Sequence, residues 1–222
     1  MKVTVIDYGV GNLRSLRRGL ERAGATVEER SDPEGIADAE ALVLPGVGAF
    51  EECMRNSRPF HDVLVDAATD TPILGICVGL QLLFTESTEG APPGETVAGL
   101  DLIPGRVERL PSEDVTVPHM GWNTLDVERP HPIVDGLADG DYAYFVHSYA
   151  TRVSDHTVAA SDHGRRFAAI AANERGNVVG TQFHPEKSGE TGLALLANFV
   201  AFAERWTDGD AAATPASDGL AD

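Results

Sequence analysis

Apolar and polar positions alternate along this chain with two different periods, and the switches between them outline a fold. Val3 to Asp7 form a short β-branched run of the kind that a parallel sheet buries. Leu13, Leu16, Leu20 and Ala23 then recur at helical spacing on one face, and Gly24 stands where that helix must stop. Further runs at Thr26 to Glu29, Ala41 to Leu44 and Pro72 to Ile76, with an apolar-periodic stretch over residues 50–68, continue the alternation. Strands interleaved with helices in this way predict an α/β fold, a parallel sheet with helices on both faces. Beyond Gly90 the texture changes to strand pieces around residues 99–110, 115–120, 142–149, 153–160 and 167–172. Asn173-Glu174-Arg175-Gly176-Asn177 has the composition of a hairpin turn leading into Val178 to Phe183, and a last helix is predicted over residues 188–206. Residues 207–222 hold a single leucine among Ala, Asp, Gly, Thr, Pro and Ser. Such a segment cannot bury enough surface to offset its ordering entropy, so one domain (1–206) followed by a flexible acidic tail (207–222) is predicted.

The length of 222 residues suits one hydrophobic core and demands no second. Charge narrows the partners: 17 basic against 35 acidic residues leave a formal net charge of −18, which argues against nucleic acid and anionic membranes. Only Lys2 and Lys187 are lysines. Acids spread along the whole chain, with few lysines, suit a salt-rich cytoplasm in which counterions screen self-repulsion, a halophilic habit. The two cysteines, Cys53 and Cys77, form no disulfide framework and show no metal-ligand spacing, so a reducing compartment and no metal or other cofactor are predicted; Cys53 reads as a core residue. No apolar stretch reaches the length of a membrane span, and a cytoplasmic location follows as the expectation.

The sharpest local signal is Gly75-Ile76-Cys77-Val78-Gly79, where a buried strand runs into a helix through Gly-x-Cys-x-Gly. This is the pattern of a nucleophile elbow: glycines two positions either side relieve backbone crowding, and the side chain stands exposed at a helix N-terminus that favours an anion. A cysteine in an apolar run also reads as a small core residue, and the elbow spacing alone does not decide between the two. Gln182-Phe183-His184-Pro185-Glu186 tips the balance. Pro185 holds His184 extended, residues two apart in an extended segment face one way, and Glu186 can therefore orient the imidazole that a cysteine nucleophile needs as proton acceptor and donor. Leu44-Pro45-Gly46-Val47-Gly48, directly after a strand, offers closely approaching backbone N–H groups at Val47 and Gly48; with the N–H of Val78 these suit an oxyanion hole, with Gly46 beside the substrate. Gly9-Val10-Gly11 is a poor dinucleotide fingerprint, because position 14 is Arg where a third glycine belongs.

These motifs, together with Asp7-Tyr8-Gly9-Val10-Gly11-Asn12, Pro118-His119-Met120-Gly121-Trp122-Asn123 and Tyr144-Phe145-Val146-His147-Ser148-Tyr149, resemble the class I glutamine amidotransferases. The last three are similar in particular to the amidotransferase subunits of imidazole glycerol phosphate synthase. That resemblance implies a three-layer, doubly wound flavodoxin-like fold with a central, mostly parallel sheet and a smaller antiparallel sheet. It implies glutamine as substrate, a Cys77-His184-Glu186 triad, and substrate contacts at Gln81, Glu89 and Ser148. Gln81 also stands one helical turn after Cys77. A barrel-type synthase subunit is implied as heterodimer partner, met through Asn12, Trp122, Tyr144 and Lys187 and receiving ammonia through a channel. The elbow and the His-Pro-Glu motif belong to the whole class, so a free glutaminase or an amidotransferase of another pathway remains the alternative. A non-enzymatic Rossmann-like module is the more distant one.

Overall fold

The N-terminal β-branched run forms strand β1 (Lys2–Ile6), buried at every position after Lys2, as expected of a strand covered on both faces. Asn12 caps α1 (Leu13–Arg22) by accepting from the Ser15 N–H, Leu16 and Leu20 face inward, and Gly24 ends the helix region at φ +96°. The chain continues through β2 (Thr26–Arg30), a short α2 (Pro33–Ala37), β3 (Leu42–Leu44), α3 (Phe50–Ser57), α4 (His61–Ala67), β4 (Ile73–Ile76) and α5 (Val78–Leu83). Strands then dominate: β5 (Phe84–Ser87), β6 (Val97–Ala98), β7 (Ile103–Arg109), β8 (His119–Thr124), β9 (Asp126–Val127), β10 (Tyr142–His147), β11 (Tyr149–Thr151), β12 (Thr157–Asp162), β13 (Arg166–Ala172) and β14 (Val178–Thr181). Helix α6 (Gly189–Thr207) follows. The computed structural model describes residues 1–209; the predicted tail begins inside α6, at Thr207, and its remainder from residue 210 lies outside the described residues.

The large sheet has the order β2-β1-β3-β4-β14-β13-β12-β9. Its strands are parallel from β2 through β14 and antiparallel from β14 onward. In place of the one smaller antiparallel sheet expected there are two: an antiparallel pair β10-β8, and a four-stranded sheet β11-β7-β5-β6 in which β5 and β7 run parallel. Helices α1 and α6 pack on each other, as do α3 and α5.

Departures from the expected elements have local causes. The periodic stretch 50–68 is broken at a single 3₁₀ turn, Arg58–Phe60, because Pro59 lacks an N–H and its ring collides with the preceding turn. The strand expected at 115 starts only after Pro118, at His119, and the strand expected at 153 starts at Thr157. The run 142–149 is cut at Ser148, where the chain leaves the β10-β8 pair and joins β7 of the other small sheet. That change of sheet places Ser148 beside the elbow.

Candidate active site

β4 ends at Ile76 and α5 begins at Val78, so Cys77 alone makes the turn from strand to helix. Its backbone sits at φ 55° and ψ −109°, a strained conformation for a residue that carries a Cβ. Its N–H donates to the Thr181 carbonyl at 2.7 Å, which ties the turn to the end of β14. The flanking glycines are demanded by space. A Cβ on Gly79 would lie 1.9 Å from the Leu44 oxygen, one on Gly75 2.8 Å from the backbone of Gly79, and one on Gly46 2.4 Å from the Gly79 nitrogen. The ends of β3 and β4 therefore meet the first turn of α5 backbone against backbone.

Cys77 opens on a cleft of about 320 Å³ whose walls include Val47, Gly48, Val78, Gln81, Glu89, Ser148 and His184. The structure thus gathers the expected nucleophile, its histidine, the three expected oxyanion donors and three of the four residues expected beside the substrate around one space. Gly46 does not line it. Packed on Gly79 and Val78, Gly46 faces a narrow crevice behind the cleft, shared with Asn12, Glu186 and Lys187.

Imidazole Nδ1 of His184 lies 3.0 Å from Glu186 Oε1, and both side chains are almost wholly buried. The pair forms for a different reason from the one expected: Pro185–Lys187 is a 3₁₀ turn, and the turn, not an extended segment, folds the carboxylate back onto the ring. The His184 backbone is fixed by its N–H to the Tyr144 oxygen at 3.0 Å and by the Ser188 hydroxyl, which donates to its carbonyl at 2.7 Å. With Nδ1 engaged by the carboxylate, Nε2 is left for sulfur chemistry. Burial opposes charge on this imidazole, but hydrogen bonds and charge from Cys77 and Glu186 outweigh it and raise its pKa to about 9. Both Cys77→Ala and Glu186→Gln should therefore lower the His184 pKa, read from imidazole NMR shifts. An unchanged value in both variants would mean that neither group stabilises the proton. Because the folded value exceeds the ordinary 6.5, this ring stabilises the fold below that pH, and the contribution fades as pH rises toward 9.

The other cleft residues are tied down as well. Both amide hydrogens of Gln81 are committed, to the Tyr149 oxygen at 2.9 Å and Gln182 Oε1 at 3.0 Å, so its carbonyl oxygen is what remains for a substrate ammonium. Glu89 Oε2 accepts from the Phe50 N–H at 3.0 Å at the start of α3, which leaves Oε1 for a ligand. Burial raises the Glu89 pKa and that hydrogen bond partly offsets the rise.

One wall of the cleft, at His147, is backed by a histidine chain whose residues stand in two of the motifs that carry the resemblance, although the sequence assigns them no role. His147 Nδ1 lies 2.9 Å from the Tyr149 oxygen, His147 Nε2 lies 3.0 Å from His119 Nδ1, and His119 Nε2 lies 3.2 Å from the Asn123 amide nitrogen, which also donates to the Asp162 oxygen. A carbonyl can only accept, so His147 carries its proton on Nδ1, His119 on Nδ1, and the order of donors runs one way from Asn123. Burial depresses both imidazoles, His147 to about 3 and His119 to about 4, and keeps them neutral.

Of the expected partner contacts, Trp122 is exposed and stands edge-to-face with Tyr144, ring centroids 5.9 Å apart. Met120 and Tyr142 extend that surface as further exposed apolar side chains of β8 and β10. Lys187 is exposed, and the Trp122 ring approaches Gly189, two residues beyond it. Asn12 borders the crevice behind His184 and Glu186. Among the described residues no helix is long and apolar enough to cross a membrane.

The family profile described as Glutamine amidotransferase class-I matches residues 4–202. The chain is 57% identical over 203 residues to the imidazole glycerol phosphate synthase subunit HisH of Natronomonas pharaonis, covering 90% of this chain and 94% of that protein. To the HisH protein of Halobacterium salinarum it is 56% identical, covering 89% and 92%, and to that of Methanosarcina acetivorans 47%, covering 90% and 98%. The two former relatives are haloarchaeal, in keeping with the acidic composition of this chain. Among solved structures, a crystal structure of a glutamine amidotransferase superposes with a TM-score of 0.69 at 21% identity, covering 91% of this chain and 98% of that one, a likeness of fold.

Proposed function

The chain belongs to the glutamine amidotransferase class-I family, within it to the HisH subunits of imidazole glycerol phosphate synthase, and from that membership we propose how its residues act. It is a glutamine-hydrolysing enzyme of histidine biosynthesis. Cys77 Sγ attacks the side-chain carboxamide carbon of glutamine, and the oxyanion that forms is held by the N–H groups of Val78 and the 47–48 loop. His184 gives a proton to the departing nitrogen, which leaves as ammonia with a thioester on Cys77. Water then attacks the thioester, His184 takes its proton, and glutamate leaves. Glu186 holds the imidazole and favours its charged form. The observation that carries this reading is the strained Cys77 elbow facing the same cleft as the buried His184–Glu186 pair.

Glutamine is further held by Gln81 and Glu89 at its ammonium end and by Ser148. Ammonia passes to a barrel-type synthase subunit docked on the surface formed by the exposed Trp122, Lys187 and Asn12 with the half-buried Tyr144, in a cytoplasmic complex. Free ammonia near neutral pH is mostly ammonium, a poor nucleophile, so the isolated chain is expected to be a weak glutaminase. Partner with bound ligand should stimulate it on the order of 10²–10³-fold, the worth of one oxyanion donor brought into place. Glutamate release is measured with and without the partner, and again for Lys187→Ala, which should weaken the stimulation. Full activity of the isolated chain, indifferent to partner, would make it a free glutaminase.

A further inference from the structure

Two buried donors beneath the cleft have no part in that chemistry: the phenol of Tyr8, just after β1, and the thiol of Cys53, within α3. Both are turned toward the Pro45–Gly48 loop. The Tyr8 hydroxyl donates to the Pro45 carbonyl, and Cys53 Sγ donates to the Val47 carbonyl at 3.3 Å. Burial pushes the Cys53 thiol up to about 11 and holds Tyr8 well above the usual phenol range, so both keep their protons and remain donors. Two carbonyls of one loop, two residues apart, are thus held by side chains of the core. In a trans peptide the C=O and the following N–H point in opposite directions. Fixing the Val47 carbonyl toward α3 therefore turns the Gly48 N–H the other way, and Gly48 lines the cleft at φ +96°. The tie from Glu89 to the Phe50 N–H closes the far end of the same loop.

We propose that Tyr8 and Cys53 are positioning residues for glutamine hydrolysis, a phenol and thiol latch under the Pro45–Gly48 loop: Tyr8 anchors the start of the loop at Pro45, and Cys53 sets the Val47–Gly48 peptide so that the Gly48 N–H is aimed at the developing oxyanion. The proposal rests on the glutaminase reading of the cleft. Neither side chain lines the cleft, so the effect is on the reaction step and not on affinity. A thiol is the weaker donor of the two, and the phenol tie is the stronger anchor.

The test uses the full chain, alone and with its synthase partner, as Tyr8→Phe, Cys53→Ala and Cys53→Ser. The first two delete a donor with little change of volume; the third restores one. Each deletion should lower kcat roughly tenfold or more, part of the 10²–10³ attached to a whole oxyanion donor, with KM nearly unchanged, and Cys53→Ser should recover most of the loss. Hydrogen exchange of the 46–48 amides should quicken in Tyr8→Phe and Cys53→Ala while that of α5 does not. Unchanged kcat and unchanged loop exchange would overturn the latch. So would a loss carried by KM, or one that follows a fall in melting temperature and is not recovered by Cys53→Ser. A wild-type chain that hydrolyses no glutamine even with partner would remove the glutaminase reading instead, and the loop exchange rates would still decide the latch.

Discussion

Cys77→Ala is expected to reduce glutamine turnover by roughly 10⁵-fold or more, the scale on which removal of a covalent nucleophile acts in comparable triads. The change deletes only Sγ. It leaves the Cβ and so neither adds nor relieves the strain at φ 55°, and it leaves the N–H bond to Thr181 in place. The melting temperature and glutamine binding, measured by calorimetry, should therefore stay near wild type while glutamate release falls to background. Residual turnover within about tenfold of wild type would mean that another group attacks the amide.

The second large effect falls on a residue with no side chain. Gly79→Ala should prevent the elbow from forming, because the new methyl would lie 1.9 Å from the Leu44 oxygen, a backbone atom that cannot swing aside. Overpacking in a close-packed core costs about 1–3 kcal/mol where neighbours yield; against immobile backbone the loss should exceed that range. Denaturant unfolding is the measurement, with Gly94→Ala as comparison: that glycine has φ +85° and nothing within 4 Å of a Cβ, so only conformational strain, on the order of 1 kcal/mol, should appear. A Gly79→Ala protein as stable and active as wild type would contradict the backbone contact between β3 and α5.

The first half of the fold is legible in the sequence because buried parallel strands and amphipathic helices write themselves locally: β1, α1, β2, β3 and β4 fall where the apolar periods place them. The elbow is legible for the same reason; the His-Pro-Glu segment is legible as contiguous residues, but the 3₁₀ turn that pairs its side chains is not. Other features are written nowhere locally. Strand β5 follows α5 without an intervening loop, and no turn residue marks the change. The break at Ser148 depends on which neighbour strand each side finds. Tyr8 meets Pro45 across 37 residues, His119 meets His147 across 28, and Gln182 stands near Cys77 across 105. Cys53 is a core residue, as its surroundings in the sequence suggest, but the aim of its thiol at Val47 is a fact of tertiary structure.

The histidine wall bears on the order of events. Its rings are neutral, and their hydrogens already point along a fixed line to the Tyr149 oxygen, so reversing that line would require both tautomers to change together. His147 lines the cleft next to Ser148, yet it offers no free proton and no basic lone pair there. With those rings out of play, the mechanism proposed above assigns proton exchange with the reacting groups to Nε2 of His184. In that mechanism the proton that departs with nitrogen and the proton taken from water use that atom in turn. The second half-reaction then cannot begin until the first has emptied it, and ammonia is committed to its exit before water is ever made reactive.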